Sequence, residues 1–332
     1  MITETIILNE ERDVTLTTYI QSEGRVNYIN KRPAIIILPG GGYQHLSKRE
    51  AEPVVYPYLN AGYQVFVLRY SVSEHATWPN PLNDFDSAME LIRSKSEEWH
   101  IYEDKIAVIG FSAGGHLASA AATMAKNRPN AALLGYPVIN DDVKGCNETA
   151  PDTSKYVDRN TCPCFIFATR TDALVPIENS VDFISALTKA HIAFESHIYA
   201  YGPHGFSVCN SNVLNPNTEI STRVPNWVND SIGWLKDMFG DFTSNGMSNP
   251  VCSRYSTHDY DEYLSLDCTI GLLAKYRNVS NKLDEVLDDI YKQGNPSSVE
   301  KMSLGALLGF LRFDRDKLKE LDEELKQISN NL

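Results

Sequence analysis

The chain has no apolar run long enough to cross a bilayer, so a membrane-spanning protein is not expected. Its start, Met1-Ile2-Thr3-Glu4-Thr5, has no basic residues leading into an apolar stretch, which argues against a secretion signal and makes a cytoplasmic location the expectation. Positive charge is scarce. Against 43 Asp and Glu stand 30 Lys and Arg, a formal net charge of −13. Such a balance speaks against nucleic acid or an anionic membrane surface as a partner and suits a neutral substrate. Cysteine is sparse too. Six in 332 residues do not make a disulfide framework, and Cys162-Pro163-Cys164 has the wrong spacing for a redox or zinc pair. All six (Cys146, Cys162, Cys164, Cys209, Cys252 and Cys268) read as free thiols of a reducing compartment. The glycine run Gly40-Gly41-Gly42 is not followed by Gly-Lys-Ser/Thr, so a nucleotide-binding loop is not expected.

Hydrophobic residues make up 42% of the chain, ample for a core, and the length fits one large domain plus a small one. Ile6–Leu8 and Val14–Ile20 alternate apolar and polar residues, as an antiparallel pair would. Ala34–Leu38, Gln64–Arg69, Ile106–Ile109, Ala131–Tyr136, Phe165–Thr169 and Phe194–Tyr199 read as further strands, several of them continuously apolar. Between and after them Glu50–Ala61, Pro81–Glu98, Leu117–Ala125, Ile177–Ala190 and Pro225–Phe239 read as helices. This alternation predicts an α/β fold, a mostly parallel sheet with helices on both faces, whose ligands sit beyond the carboxyl ends of the strands. Composition then changes. Residues 1–242 read as one large α/β domain, 243–256 as a linker rich in breakers, and 257–332 as a small helical domain. In that last part Leu283, Val286, Leu287 and Ile290, then Leu304, Leu307, Leu308 and Leu311, then Leu318, Leu321, Leu325 and Ile328 recur at helical spacing. Ser297–Glu300 has the form of a capping box, and Asp314 is placed to cap the last helix. So many apolar stripes in so short a stretch predict a homo-oligomer built through these helices.

The most informative stretch is Gly110-Phe111-Ser112-Ala113-Gly114-Gly115-His116. It follows a buried strand and precedes an alanine-rich helix. Strand, tight glycine turn, serine and helix together describe a nucleophile elbow, whereas the bare G-x-S-x-G pattern also occurs in ordinary turns. The turn is so sharp that only small residues fit beside the serine. A serine hydroxyl needs a base, and the base needs an acid to orient it. In this arrangement the chain order is serine, acid, histidine. Asp172 lies just past the strand Phe165–Thr169, and His204 lies in a Gly/Pro loop past Phe194–Tyr199. Asp141 and Asp142 follow a strand one position too early in the sheet. His116 points away from where a base must stand, and His45, His75, His191 and His197 lack the order or the loop context. For the oxyanion, the N–H of Ala113 and one from the glycine loop, Gly41 or Gly42, are the expected donors.

Six segments in order carry a resemblance. Leu38–Tyr43, Leu68-Arg69-Tyr70, Trp78–Asp84, Gly110–His116, Thr171-Asp172 with Val175-Pro176, and His204-Gly205-Phe206 resemble the alpha/beta-hydrolase superfamily over residues 30–240. Within it they are similar to the carbohydrate-esterase-like branch of acetyl xylan esterases and feruloyl-esterase-like hydrolases. The resemblance implies Ser112, Asp172 and His204 as a catalytic triad and Gly41 or Gly42 with Ala113 as the oxyanion hole. Pro39 stands where hormone-sensitive-lipase-like relatives carry histidine, which favours the sugar-esterase branch. The C-terminal helices are similar to the helical tail of some family 3 beta-glucosidases, which implies a carbohydrate-utilisation setting.

The expected function is a serine carboxylesterase that removes small acyl groups, acetyl foremost, from sugars or short xylo-oligosaccharides, with no metal and no cofactor. Tyr43, Trp78 and Tyr136 are candidates for the substrate-binding wall, although large aromatics are as often core. An arylformamidase or exopeptidase would use the same machinery. A catalytically inactive binding or scaffold protein would be expected to lack a triad member, and all three are in place.

Overall fold

Ala34 to Leu38 is apolar at every position, and in the computed structural model every one of these residues is fully buried. A strand covered on both faces has no reason to alternate. It belongs to an eight-stranded sheet made of β1 (Ile2–Asn9), β2 (Val14–Ile20), β3 (Arg32–Leu38), β4 (Gln64–Arg69), β5 (Ile101–Phe111), β6 (Ala131–Gly135), β7 (Cys164–Thr169) and β8 (Phe194–Tyr199). Their spatial order is β1-β2-β4-β3-β5-β6-β7-β8. The first two pair antiparallel with each other, β2 is antiparallel to β4, and the remaining pairs are parallel. The structure describes residues 1–22, 29–277, 279 and 299–331.

Five helices follow from the same patterning: α1 (Glu52–Asn60), α2 (Asn80–Ser94), α3 (Ala113–Met124), α4 (Glu178–Lys189) and α5 (Trp227–Phe239). Val54, Val55 and Tyr58 of α1 share a core with Trp227, Trp234 and Leu235 of α5 and with Ile35, Ile37, Val65, Val67 and Ile109 of the sheet. The alternate strand residues Ile36, Phe66 and Val108 are equally buried, so the second face is covered as well. Trp227 stacks on Phe167 with centroids 4.1 Å apart, an aromatic contact that adds about 1 kcal/mol beyond the area it buries. The helix expected to reach Glu98 ends at Ser94, because Trp99 turns back to pack on Phe66. Asp84, from the Trp78–Asp84 motif, is buried and accepts the Ser71 N–H at 2.9 Å beside Arg12, so it holds the end of β4.

The chain divides into two compact units, Met1–Arg254 and Tyr255–Leu332. The segment expected to be a linker, 243–256, is folded for most of its length as part of the first unit. Phe242–Thr243 and Gly246–Met247 form a small hairpin, and the Val251 and Cys252 amides both donate to the Asp237 carbonyl near the end of α5. Loop-forming residues do not imply a free loop when the backbone finds acceptors on a neighbouring helix end.

In the second unit lie α6 (Ile270–Leu273), α7 (Leu304–Phe310) and α8 (Arg315–Leu325), with Leu264, Ile270, Leu273, Leu304, Leu308 and Leu325 buried among themselves. Asp314 caps α8, accepting the Asp316 and Lys317 amides at 2.9 and 3.1 Å. The two capped turns before α6 and α7 mirror each other. Ile270 N–H donates to Met302 and Leu304 N–H to Cys268; Gly271 N–H donates to Glu300 and Gly305 N–H to Leu266. Thr269 and Ser303 are the equivalent caps. The expected stripe Leu283, Val286, Leu287 and Ile290, and Ser297-Ser298 of the expected capping box, lie outside the described residues.

Candidate active site

The strand order brings the site together. β3 lies beside β5, with Leu38 opposite Gly110, so the glycine loop after β3 and the turn after β5 emerge side by side. The loops after β7 and β8 open on the same end of the sheet. Ligands in parallel sheets bind at such an end, where the strand order reverses.

Ser112 sits between β5 and α3 with φ 54° and ψ −119°, a left-handed conformation that a serine adopts only when its surroundings enforce it. They do. A Cβ at Gly110 would lie 2.0 Å from the Gly114 carbonyl oxygen, and one at Gly115 would lie 2.7 Å from Pro137. The backbone is pinned as well, for Ser112 N–H donates to Gly135 and His116 N–H to Ser112. The hydroxyl is thereby presented at the end of the strand with the start of α3 behind it.

His204 Nε2 lies 2.9 Å from Ser112 Oγ. His204 Nδ1 lies 2.7 Å from Asp172 Oδ2. The other carboxylate oxygen of Asp172 accepts the amides of Leu174 and Val175, both at 2.9 Å. Those two donors hold the carboxylate plane, and its side chain is 2% exposed. The Thr171 hydroxyl accepts Gly202 N–H and the Thr169 hydroxyl donates to Gly202, which ties the aspartate loop to the histidine loop. Asp142 is held by Asn179 and Asp141 by Lys144 and Lys155, so the two rival acids are engaged elsewhere.

The glycine loop runs beside the serine: a Cβ at Gly40 would lie 3.0 Å from that of Ser112. Gly41 has φ 127° and Gly42 φ 62°, values that side chains tolerate poorly. Among the described residues, the amides of Gly41, Gly42 and Ala113 donate to no protein acceptor. Free amides beside a hydroxyl and at the start of a helix suit a developing negative charge.

The cleft above has a volume of about 550 Å³. Ser112, His204, Gly41 and Gly42 line it, with Val138, Leu174, Val175 and Pro176 as apolar wall and Cys146, Asp142 and the exposed Arg49 at its sides. Burial pushes the Cys146 thiol pKa up, away from a reactive thiolate. All six cysteines are free. No three His, Cys, Asp or Glu side chains among the described residues gather as metal ligands would.

The aromatic wall is corrected. Tyr43 is fully buried, and its hydroxyl meets Nδ1 of His116 at 2.7 Å. Tyr136 is 1% exposed and donates to Glu50. Trp78 packs its ring on His116, 5.5 Å between centroids, and does not line the cleft. Tyr43 and Tyr136 are amphipathic rings whose hydroxyls found buried partners, whereas Trp78 is held by ring packing on His116. His116 itself is buried, bonded to Tyr43 and to the Pro151 carbonyl, and burial lowers its pKa to about 4. Sequence reading passed over Arg49 and Glu50, because Lys48-Arg49-Glu50 reads as the polar start of a helix. No local pattern marks a carboxylate that turns inward.

An elbow serine on a mostly parallel sheet, with a histidine and an acid from later loops, defines the alpha/beta-hydrolase fold. The family model described as BD-FAE matches residues 25–132. A crystal structure of MGS-M1, an alpha/beta hydrolase enzyme from a Medee basin deep-sea metagenome library, is 42% identical with a TM-score of 0.65, over 72% of this chain and 98% of that one. Endo-1,4-beta-xylanase B of Butyrivibrio fibrisolvens is 32% identical over 211 residues, 54% of this chain and 33% of the relative. Acetylxylan esterase of Xylanibacter ruminicola is 32% identical over 196 residues, 52% of this chain and 41% of the relative. The chain thus spans less than half the length of these two curated relatives. It belongs to the alpha/beta-hydrolase superfamily, in its esterase branch.

Proposed function

We propose that this protein is a serine carboxylesterase that removes small acyl groups, acetyl foremost, from sugars or short xylo-oligosaccharides. The observation that carries the reading is the continuous contact from Ser112 Oγ through His204 to Asp172 at the floor of an open cleft. Ser112 Oγ attacks the ester carbonyl while His204 Nε2 takes its proton. The carbonyl oxygen, now an anion, is met by the amides of Ala113 and of Gly41 or Gly42. Asp172 holds the Nδ1–H tautomer and stabilises the imidazolium. His204 then returns the proton to the departing sugar hydroxyl, leaving an acyl-Ser112 ester. Water, deprotonated by the same imidazole, releases the carboxylic acid and restores the serine.

The sugar ester assignment draws on the relative described as an acetylxylan esterase and on the acidic surface of the chain, which repels anionic polymers. Ser112→Ala should lower hydrolysis of acetylated xylo-oligosaccharides by at least about 10⁴-fold with an unchanged melting temperature. A panel of acetyl, feruloyl, formyl-amide and aminoacyl substrates decides the leaving group. Faster turnover of the formyl or aminoacyl members would replace the esterase reading, and unchanged turnover by Ser112→Ala would remove the triad.

A further inference from the structure

Glu50 is 2% exposed and lies under the cleft, where its two oxygens serve two different loops. Oε2 accepts the Gly40 N–H at 2.9 Å. Oε1 accepts the Tyr136 hydroxyl at 2.8 Å. The Tyr136 oxygen in turn accepts the Ser207 N–H at 3.1 Å, and the Tyr136 ring lies against the His204 ring with centroids 4.9 Å apart. One carboxylate therefore links the loop that carries the oxyanion donors to the loop that carries the histidine.

The geometry is transmitted by planar peptides. The Tyr70 hydroxyl donates to the Pro39 carbonyl, Glu50 accepts from Gly40, and Ser47 N–H donates to the Gly40 carbonyl at 2.9 Å. In a trans peptide the N–H points opposite to the preceding C=O, so pinning the Gly40 carbonyl fixes the direction of the Gly41 N–H. The Gly41 carbonyl, accepting from Gln44 and His45, fixes the Gly42 N–H in the same way. Glycines impose no such order by themselves. A buried carboxylate is also a costly way to fill space, since an apolar side chain of similar size would stabilise the core at least as well.

We propose that Glu50 is a positioning residue for catalysis, holding the oxyanion loop and, through Tyr136, the His204 imidazole in register with Ser112. The inference rests on the triad reading above. It is tested with Glu50→Gln and the milder Tyr136→Phe, which removes a single hydroxyl. A fluorophosphonate that labels Ser112 counts the active sites, and kcat and KM for an acetyl ester are then expressed per counted site. Glu50→Gln should lower kcat about 10- to 100-fold per site with KM changed less than about threefold. Tyr136→Phe should lower kcat about fivefold or more, and the double variant should be no slower than Glu50→Gln alone, because both cut the same link. A purely structural role would reduce the number of counted sites and leave kcat per site within about twofold of the parent, which would overturn the proposal. So would an unaffected Tyr136→Phe protein, even if Glu50→Gln did not fold. Failure of the parent itself to label or turn over would instead sink the triad reading, and the two failures are therefore distinguishable.

Discussion

Gly114 and Leu38 approach so closely that a Cβ on the glycine would lie 2.1 Å from the Leu38 carbonyl oxygen and 2.5 Å from that of Pro39. The first turn of α3 is thereby seated on the end of β3, and Ser112 and the glycine loop share one wall. Gly114→Ala would have to push α3 off the strand, because a backbone oxygen has nowhere to go. Overpacking of this kind costs about 1–3 kcal/mol. The melting temperature should fall, and ester turnover should fall by more than the folded fraction does, since the serine and its oxyanion donors separate. Calorimetry with a turnover assay on the same sample checks both. A variant with parental kcat would mean that the elbow tolerates the shift.

His116 gives the fold a dependence on pH that is separate from catalysis. Its pKa falls to about 4 from an ordinary 6.5, because burial disfavours the charged ring. Between those values the unfolded chain binds a proton that the native state refuses, so stability rises with pH across this window. The contribution is complete above about pH 6.5 and is lost as pH drops toward 4, about 3 kcal/mol in all. His116→Gln keeps a donor for Pro151 and an acceptor for Tyr43 but does not titrate. Urea unfolding at pH 7 and pH 4.5 should show the parent losing more stability than the variant. Equal losses would show that His116 is not the titrating group.

The segment after residue 242 separates two expectations. Arg254 donates to the carbonyls of Asn160 and Thr161, its own carbonyl accepts from Ala193, and Val251 and Cys252 bond Asp237. A chain ending at Arg254 should fold and retain ester turnover per active site. One ending at residue 242 loses all of these bonds and should melt several degrees lower. Light scattering on the full chain and on the chain ending at Arg254 tests the expected homo-oligomer at the same time. An identical particle order in both would place assembly outside the second unit.

The order of Ser112, Asp172 and His204 was legible in the sequence because each lies just past an apolar strand, and a strand's end is a local feature. The antiparallel start, the parallel strands and the Asp314 cap were legible for the same reason: periodicity and capping act within a few residues. The large aromatics were not. Tyr43, Trp78 and Tyr136 have the same composition whether they face a substrate or a core. What decides is the availability of His116 and Glu50 as partners, far away in the chain. The breaker-rich stretch 243–256 misled for a related reason, since its acceptors lie on α5 and in the loop before β7, at Asp237, Asn160 and Thr161, and nothing local to the stretch marks them.

By itself, then, the sequence determined which segments become strands and helices, and which residue types stand at their ends, because backbone propensity and patterning are short-range effects. Only the tertiary structure decided that β3 lies beside β5, that the Gly41 and Gly42 amides meet no acceptor among the described residues, and that Glu50 turns inward to join two loops. Those outcomes depend on strand order and on mutual burial, and both arise only when distant parts of the chain exclude water together.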